Sequence, residues 1–152
     1  PNLLDNDWLW GGDLENISLT IAHGVRNDTD DDARYSEMPA FADLLEKDEV
    51  SSVVEYVVSL SSTEFDATFA TEGAIVFADN CASCHGETAQ GDREIGAPEL
   101  TDAIWLYGGD RTSLTYTVNN ARYGVMPAWG QRLSDEDVRA VSIYVHSLGG
   151  GE

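Results

Sequence analysis

Cys81-Ala82-Ser83-Cys84-His85 is the stretch that decides how this 152-residue chain is read. Two cysteines two residues apart, followed at once by histidine, form the C-x-x-C-H signature of covalent c-type haem attachment. The thiols add to the haem vinyl groups, and the adjacent imidazole is held near enough to become the proximal iron ligand. A dithiol redox pair would need a strand–helix context around it, and a zinc site would need a second spaced pair of Cys or His. The sequence offers neither.

A low-spin haem needs a sixth ligand, and a methionine thioether is the one that raises the potential. The chain has two methionines. Met126, in Val125-Met126-Pro127-Ala128-Trp129, lies downstream of the haem motif at a distance that lets the chain wrap the macrocycle and return on its distal face. It is the expected partner of His85.

Bulk composition sets the frame. A hydrophobic content of 42% suffices for a core, and the apolar runs are too short for a membrane-spanning helix. Pro1-Asn2-Leu3-Leu4-Asp5 has neither the basic start nor the apolar run of a signal peptide, so the chain reads as a mature or partial sequence. Twenty-eight acidic against eight basic residues give a formal net charge of −20. That excludes nucleic acid as a partner and favours encounter with a basic protein, such as a small basic cytochrome. A salt-adapted surface, with Lys47 the single lysine, would show the same excess.

An internal repeat is the next strongest signal. Residues 1–26 align with 98–123, so that Pro1, Leu3, Asp5, Trp8, Leu9, Gly11, Gly12 and Asp13 meet Pro98, Leu100, Asp102, Trp105, Leu106, Gly108, Gly109 and Asp110. Residues 38–60 align with 126–148, so that Met38-Pro39-Ala40-Phe41 meets Met126-Pro127-Ala128-Trp129. An insertion in the first copy carries the acidic run Asp28 to Asp32. The partner of the Cys81 motif would fall before residue 1, so one haem is expected on this chain and a longer two-haem parent is inferred. Met38 would then serve the haem of the incomplete first copy.

Helical periodicity places the motifs. Asp13 and Asp110, each after a Gly-Gly turn, predict N-caps for helices near 14–25 and 111–121. Ser134-Asp135-Glu136-Asp137 opens a last helix, and Val138, Val141, Tyr144, Val145 and Leu148 form its apolar stripe before Gly149-Gly150-Gly151. Glu46 to Glu49 opens its twin, striped by Val50, Val53, Val54, Val57 and Leu60. With no first-copy haem helix to cover it, that second stripe is expected to pack on an added piece, on the second domain or on a neighbouring chain. The resulting division is an incomplete domain over 1–61, a linker over 62–67 and a complete domain over 68–152.

A helix near 68–80 carries Gly73 and Phe77 ahead of the haem motif. Together with Tyr144 in the last helix, this resembles the class I cytochrome c fold, and it implies an all-α chain of tandem cytochrome c domains, the first incomplete. The resemblance implies that the first and last helices cross at Gly73, Phe77 and Tyr144. It also implies that Pro98 accepts the N–H of His85. Trp105, Tyr107 and Arg122 are the expected donors to the haem propionates.

The tandem of Pro-x-Leu, Trp-Leu-Trp/Tyr-Gly-Gly, Met-Pro-Ala-Phe/Trp and Tyr-Val-x-Ser-Leu is similar to subunit III of cbb3-type cytochrome c oxidases. That resemblance implies an electron relay in aerobic respiration, on the periplasmic side of the bacterial inner membrane. The relay would run from a donor cytochrome to the oxygen-reducing subunit, alongside other oxidase subunits and with no catalysis by this chain alone. A free periplasmic cytochrome c, the cytochrome subunit of a dehydrogenase and a gas-binding haem sensor are the other readings. Asp28, Asp30 and Asp32 begin like a calcium loop, but Ala33 and Pro39 stand where its glycine and bidentate glutamate belong. His23 and His146 read as surface or helix-packing residues.

Overall fold

The computed structural model describes residues 2–102 and 104–150. Pro1 of the repeat and Gly151 of the glycine run lie outside the described residues. Among the described residues six α-helices carry the architecture: α1 Leu14–His23, α2 Lys47–Ser61, α3 Ala67–Asn80, α4 Ala82–His85, α5 Arg111–Asn120 and α6 Asp135–Ser147. A 3-10 turn, Trp129–Gln131, precedes α6. Among the described residues β-type pairing is confined to isolated bridges such as Val25 with Met126 and Asp92 with Ala97.

The helix starts follow the sequence. Asp13 accepts from the Asn16 N–H at 2.9 Å, Asp110 from the Ser113 N–H at 3.1 Å and Ser134 Oγ from the Asp137 N–H at 3.2 Å. Each satisfies a donor that the first helical turn leaves without a partner. Asp66 caps α3 in the same way through Thr68 and Phe69. At α2 the Glu46 N–H donates to the Glu49 carboxylate at 2.8 Å, the return half of a capping box.

The chain forms two compact units, and their limits differ from the expected domain line. The first unit comprises the segment through Ser36, Arg93–Gly96 and the segment from Gly124 onward. Its core joins Ile17 and Ile21 of α1 to Val138 of α6, with Trp8, Met126 and Val141 packed around them. The second unit comprises Glu37–Asp92 and Ala97–Tyr123. There Val53, Val54, Val57 and Val58 of α2 bury against Phe77 of α3, Ala89 and Leu114 of α5.

The observed packing differs from the expected division and crossing at two points. The 62–67 stretch is the short turn between α2 and α3 inside the second unit, not a boundary between domains. And the crossing at Gly73 and Phe77 is made by α2, not α6. A Cβ added at Gly73 would lie 1.9 Å from the Ser52 carbonyl oxygen, and the Phe77 ring meets Tyr56 with centroids 5.1 Å apart. Tyr56 is the repeat equivalent of Tyr144, whose side chain is 62% exposed. The physical reason is that α2 and α6 carry the same stripe. The connection from Ser61 to Ala67 closes a far shorter loop than any path from α3 to α6. The α2 stripe therefore finds its cover within this chain, the second of the possibilities its exposure raised.

Candidate haem-binding site

The attachment motif sits at a turn built by its neighbours. Cys81 ends α3, its N–H donating to the Phe77 carbonyl at 2.8 Å, and α4 is a single turn that carries Cys84 and His85. Gly86, with φ +78°, turns the chain away immediately after the histidine. The chain then folds back, with the Gly91 N–H on the His85 carbonyl at 2.8 Å and the Leu100 N–H on the Ala89 carbonyl at 2.8 Å. Gly91, at φ +74°, admits this return because an added Cβ would lie 2.5 Å from the Ala97 carbonyl.

That return brings Pro98 to the histidine. His85 Nδ1 donates to the Pro98 carbonyl at 3.0 Å, which fixes the tautomer and leaves the Nε2 lone pair for a metal. The ring is buried, at 9% exposure. Burial lowers the His85 pKa, against the raising effect of the Pro98 hydrogen bond, so the imidazole is neutral, as a ligand must be. Cys81 is half-buried and its thiol is pushed up to about 11, by burial first and then by Cys84. Cys84 is exposed, and both thiols are free.

This donor set fits a covalently held haem. The thiols and the imidazole share one turn, and among the described residues neither cysteine joins a group of three or more Cys, His, Asp or Glu donors close enough for zinc. One such group, His23, Asp30 and Asp32, lies elsewhere. There His23 Nδ1 is 3.2 Å from Asp30, whose carboxyl is held below its ordinary value chiefly by the Asp32 N–H.

The remaining predicted residues separate. Pro98, Trp105, Tyr107 and Arg122 share the second unit with Cys81, Cys84 and His85. Trp105 packs on the core of that unit, with its ring 2.6 Å from where a Gly109 Cβ would lie. Tyr107 and Arg122 line a shallow, open depression of the surface with Tyr116, Asn120, Ala121 and Tyr123. The Arg122 guanidinium lies 4.8 Å from the Tyr107 ring centroid and 5.1 Å from that of Tyr116.

The two methionines fall in different units. Met126 belongs to the first unit, where its N–H donates to the Val25 carbonyl at 2.9 Å and its side chain joins the Ile17 and Ile21 core. Met38 belongs to the second unit with His85. Three residues on, the Phe41 N–H donates to the Val118 carbonyl of α5 at 2.9 Å, and Phe41 is 5% exposed. The chain thus changes units between Ser36 and Glu37 and again between Tyr123 and Gly124. The sequence carried a signal for these points that the repeat as first aligned did not include: Arg34-Tyr35 and Arg122-Tyr123 each stand four residues before a methionine.

A helical fold holding a C-x-x-C-H turn, with the histidine oriented by a proline carbonyl, defines a c-type cytochrome of class I. Residues 68–145 match the family described as cytochrome C oxidase, cbb3-type, subunit III. The chain is 62% identical over its whole length to the cbb3-type cytochrome c oxidase subunit CcoP of Cereibacter sphaeroides, covering 53% of that protein. It is 51% identical to subunit FixP of Azorhizobium caulinodans and 50% identical to CcoP of Rhodobacter capsulatus, again over all of this chain and 52% and 54% of those proteins. The chain belongs to the subunit III family of cbb3-type oxidases, and it spans about half the length of the curated relatives it matches. Membership implies covalent haem c. Among the described residues no helix is long and apolar enough to cross a membrane.

Proposed function

We propose that this chain is an electron-relaying part of a cbb3-type oxidase subunit III, binding one haem c through Cys81 and Cys84 with His85 as the proximal ligand. The observation that carries the proposal is the His85 Nδ1 to Pro98 carbonyl hydrogen bond, which presents Nε2 of a buried neutral imidazole beside both thiols. Haem c bound there supplies one-electron chemistry at iron. The protein's part is to hold the ligands, exclude water and set the potential.

For the sixth ligand we favour Met38, with Met126, the residue read from the sequence, as the alternative. The grouping of Met38 with His85 in one compact unit supports it, as does the anchoring of its loop by Phe41 on α5. Met126 then serves the other unit. With histidine and methionine on the iron, no coordination position is left for oxygen, which favours relay over ligand binding or catalysis. Tyr107 and Arg122 remain the proposed propionate contacts, since they belong to the unit that carries His85 and the guanidinium stacks on the Tyr107 ring. Trp105 is assigned to packing.

The net charge of −20 favours a basic donor cytochrome. The relatives' names support other subunits of a membrane-bound oxidase as the acceptor, and covalent haem c favours a periplasmic site. The test is the visible spectrum of the reduced protein with and without carbon monoxide, with a haem count, for the wild type, Met38→Ala and Met126→Ala. One haem per chain, a wild type blind to carbon monoxide and a Met38→Ala protein that binds it are expected. A wild-type spectrum that shifts readily would replace relay with ligand binding. Sensitivity in Met126→Ala alone would return the ligand to Met126.

A further inference from the structure

The last helix of the first unit carries more apolar surface than that unit covers. Val138, Val141 and Val145 of α6 pack with Ile17 and Ile21 of α1, and Trp8 lies beside them. Ala140, Ile143 and Tyr144, spaced i, i+3 and i+4, form a second patch next to that stripe, and all three are exposed, Ile143 by 52%. A helix that is apolar beyond one stripe has a face for a second partner.

The second unit shows what such a patch receives. There α2 is the repeat twin of α6, with Ser52, Val53, Tyr56 and Val57 in the places of Ala140, Val141, Tyr144 and Val145. Leu114 of α5 and Trp105 join the α2 core as Ile17 of α1 and Trp8 join that of α6. The rest of the α2 face is covered by α3: Gly73 brings its backbone onto the Ser52 carbonyl, the Phe77 ring lies on Tyr56, and Ser52 and Val53 are buried. Their twins on α6 are open, with Ala140 and Tyr144 exposed and Val141 half-buried. Among the described residues nothing in the first unit corresponds to α3.

We propose that Ala140, Val141, Ile143 and Tyr144 form the docking face for a helix of the α3 kind, supplied by the longer protein from ahead of residue 1. That helix sets a glycine against Ala140 and an aromatic ring against Tyr144, and it ends in a C-x-x-C-H turn. Three observations select it. The repeat puts the twins of Gly73, Phe77 and the Cys81 motif before residue 1, and this chain covers only 53% of the Cereibacter sphaeroides relative, which leaves length for them. Ala140 is small enough for a close backbone approach, as Ser52 is on α2. And α2, the helix that the order of the repeat would pair with the docking helix, is already taken by α3. The same engagement argues against a second copy of this chain, whose α3 lies on its own α2. The first domain of the repeat is then closed by the last helix of the chain, whichever methionine ligates the iron.

The test replaces Ile143 by the photo-crosslinking residue p-benzoylphenylalanine in the longer protein and maps the crosslinked peptide by mass spectrometry. The expected partner is a peptide leading into a C-x-x-C-H motif other than Cys81 to His85. In the same longer protein, Ala140→Trp blocks the close approach and is expected to raise hydroxyl-radical modification of Tyr144 severalfold, while Arg139→Gln, at an exposed neighbouring position, leaves it unchanged. Should Ala140→Trp fail to fold, the crosslink decides. A crosslink to the helix that leads into Cys81 would assign the face to a second copy and overturn the inference. So would a crosslink to any other segment or protein, the absence of a crosslink, or a folded Ala140→Trp protein whose Tyr144 reacts as in the wild type.

Discussion

The ring of Tyr56 lies 5.1 Å from that of Phe77, tilted by 51°, and so ties the last helix of the first repeat to the haem-bearing helix of the second. An aromatic pair of this geometry contributes beyond the area it buries. Tyr144 holds the equivalent place in α6 with its side chain largely in solvent. Tyr56→Ala is therefore expected to destabilise the protein by about 2–3 kcal/mol, and Tyr144→Ala by less than about 1 kcal/mol. Urea melts followed by helical circular dichroism measure both. Equal losses would mean that α6 shares the crossing.

Gly73 reports on the same crossing through the backbone. Its added Cβ would meet the Ser52 carbonyl oxygen at 1.9 Å and Tyr56 Cβ at 2.9 Å, and a carbonyl inside a helix cannot swing aside. Gly73→Ala would gain helix propensity in an exposed helix, yet here it should cost about 3 kcal/mol by forcing α2 and α3 apart. A melting temperature at or above wild type would show that the close approach does not form.

Much of this arrangement was legible in the sequence. Asp13, Asp110 and Ser134 announced the helix starts, because a short polar side chain before an apolar period has few other uses. The turn that carries Cys84 and His85 and the hydrogen bond from His85 to Pro98 follow from local spacing. What could not be read was which stripe covers α3. Val50, Val53 and Val57 match Val138, Val141 and Val145 in type and period, and periodicity tells that a face is buried without telling against what. The division of the methionine loops between the two units was hidden for the same reason: Met38-Pro39-Ala40 and Met126-Pro127-Ala128 are chemically interchangeable. Only the tertiary anchors, Phe41 on Val118 and Val25 on Met126, separate them.

Gly24 tests the second of those anchors. It adopts φ +72°, and an added Cβ would lie 2.2 Å from the Met126 carbonyl oxygen, against the bridge that Val25 makes with Met126. Gly24→Ala combines left-handed strain with a backbone clash and should cost about 2–4 kcal/mol. The damage is expected in the first unit, so amide exchange should quicken in α1 and α6 while α2 and α3 keep their protection. Uniform loss of protection would contradict the division of the core.

Arg111 of α5 donates to the Glu55 carboxylate through Nε and, at 3.0 Å, through Nη2, and it also reaches the Glu64 carbonyl at 2.8 Å. The Asp66 N–H adds a further bond to Glu55 at 3.0 Å. The guanidinium first, and that N–H after burial's opposing pull, hold the Glu55 carboxyl below its ordinary value of 4.5. A carboxylate whose native pKa is depressed stabilises the fold fully above its unfolded value and loses that contribution as pH falls through the native one. Glu55→Gln should therefore melt a few degrees below wild type at pH 7, a modest effect because Arg111 is half in solvent. The gap should close as the pH is lowered past the carboxylate range, and it should shrink in high salt. Thermal melts of the two proteins across pH check this, and a gap that persists in acid would assign the stabilisation to shape and packing, not to charge.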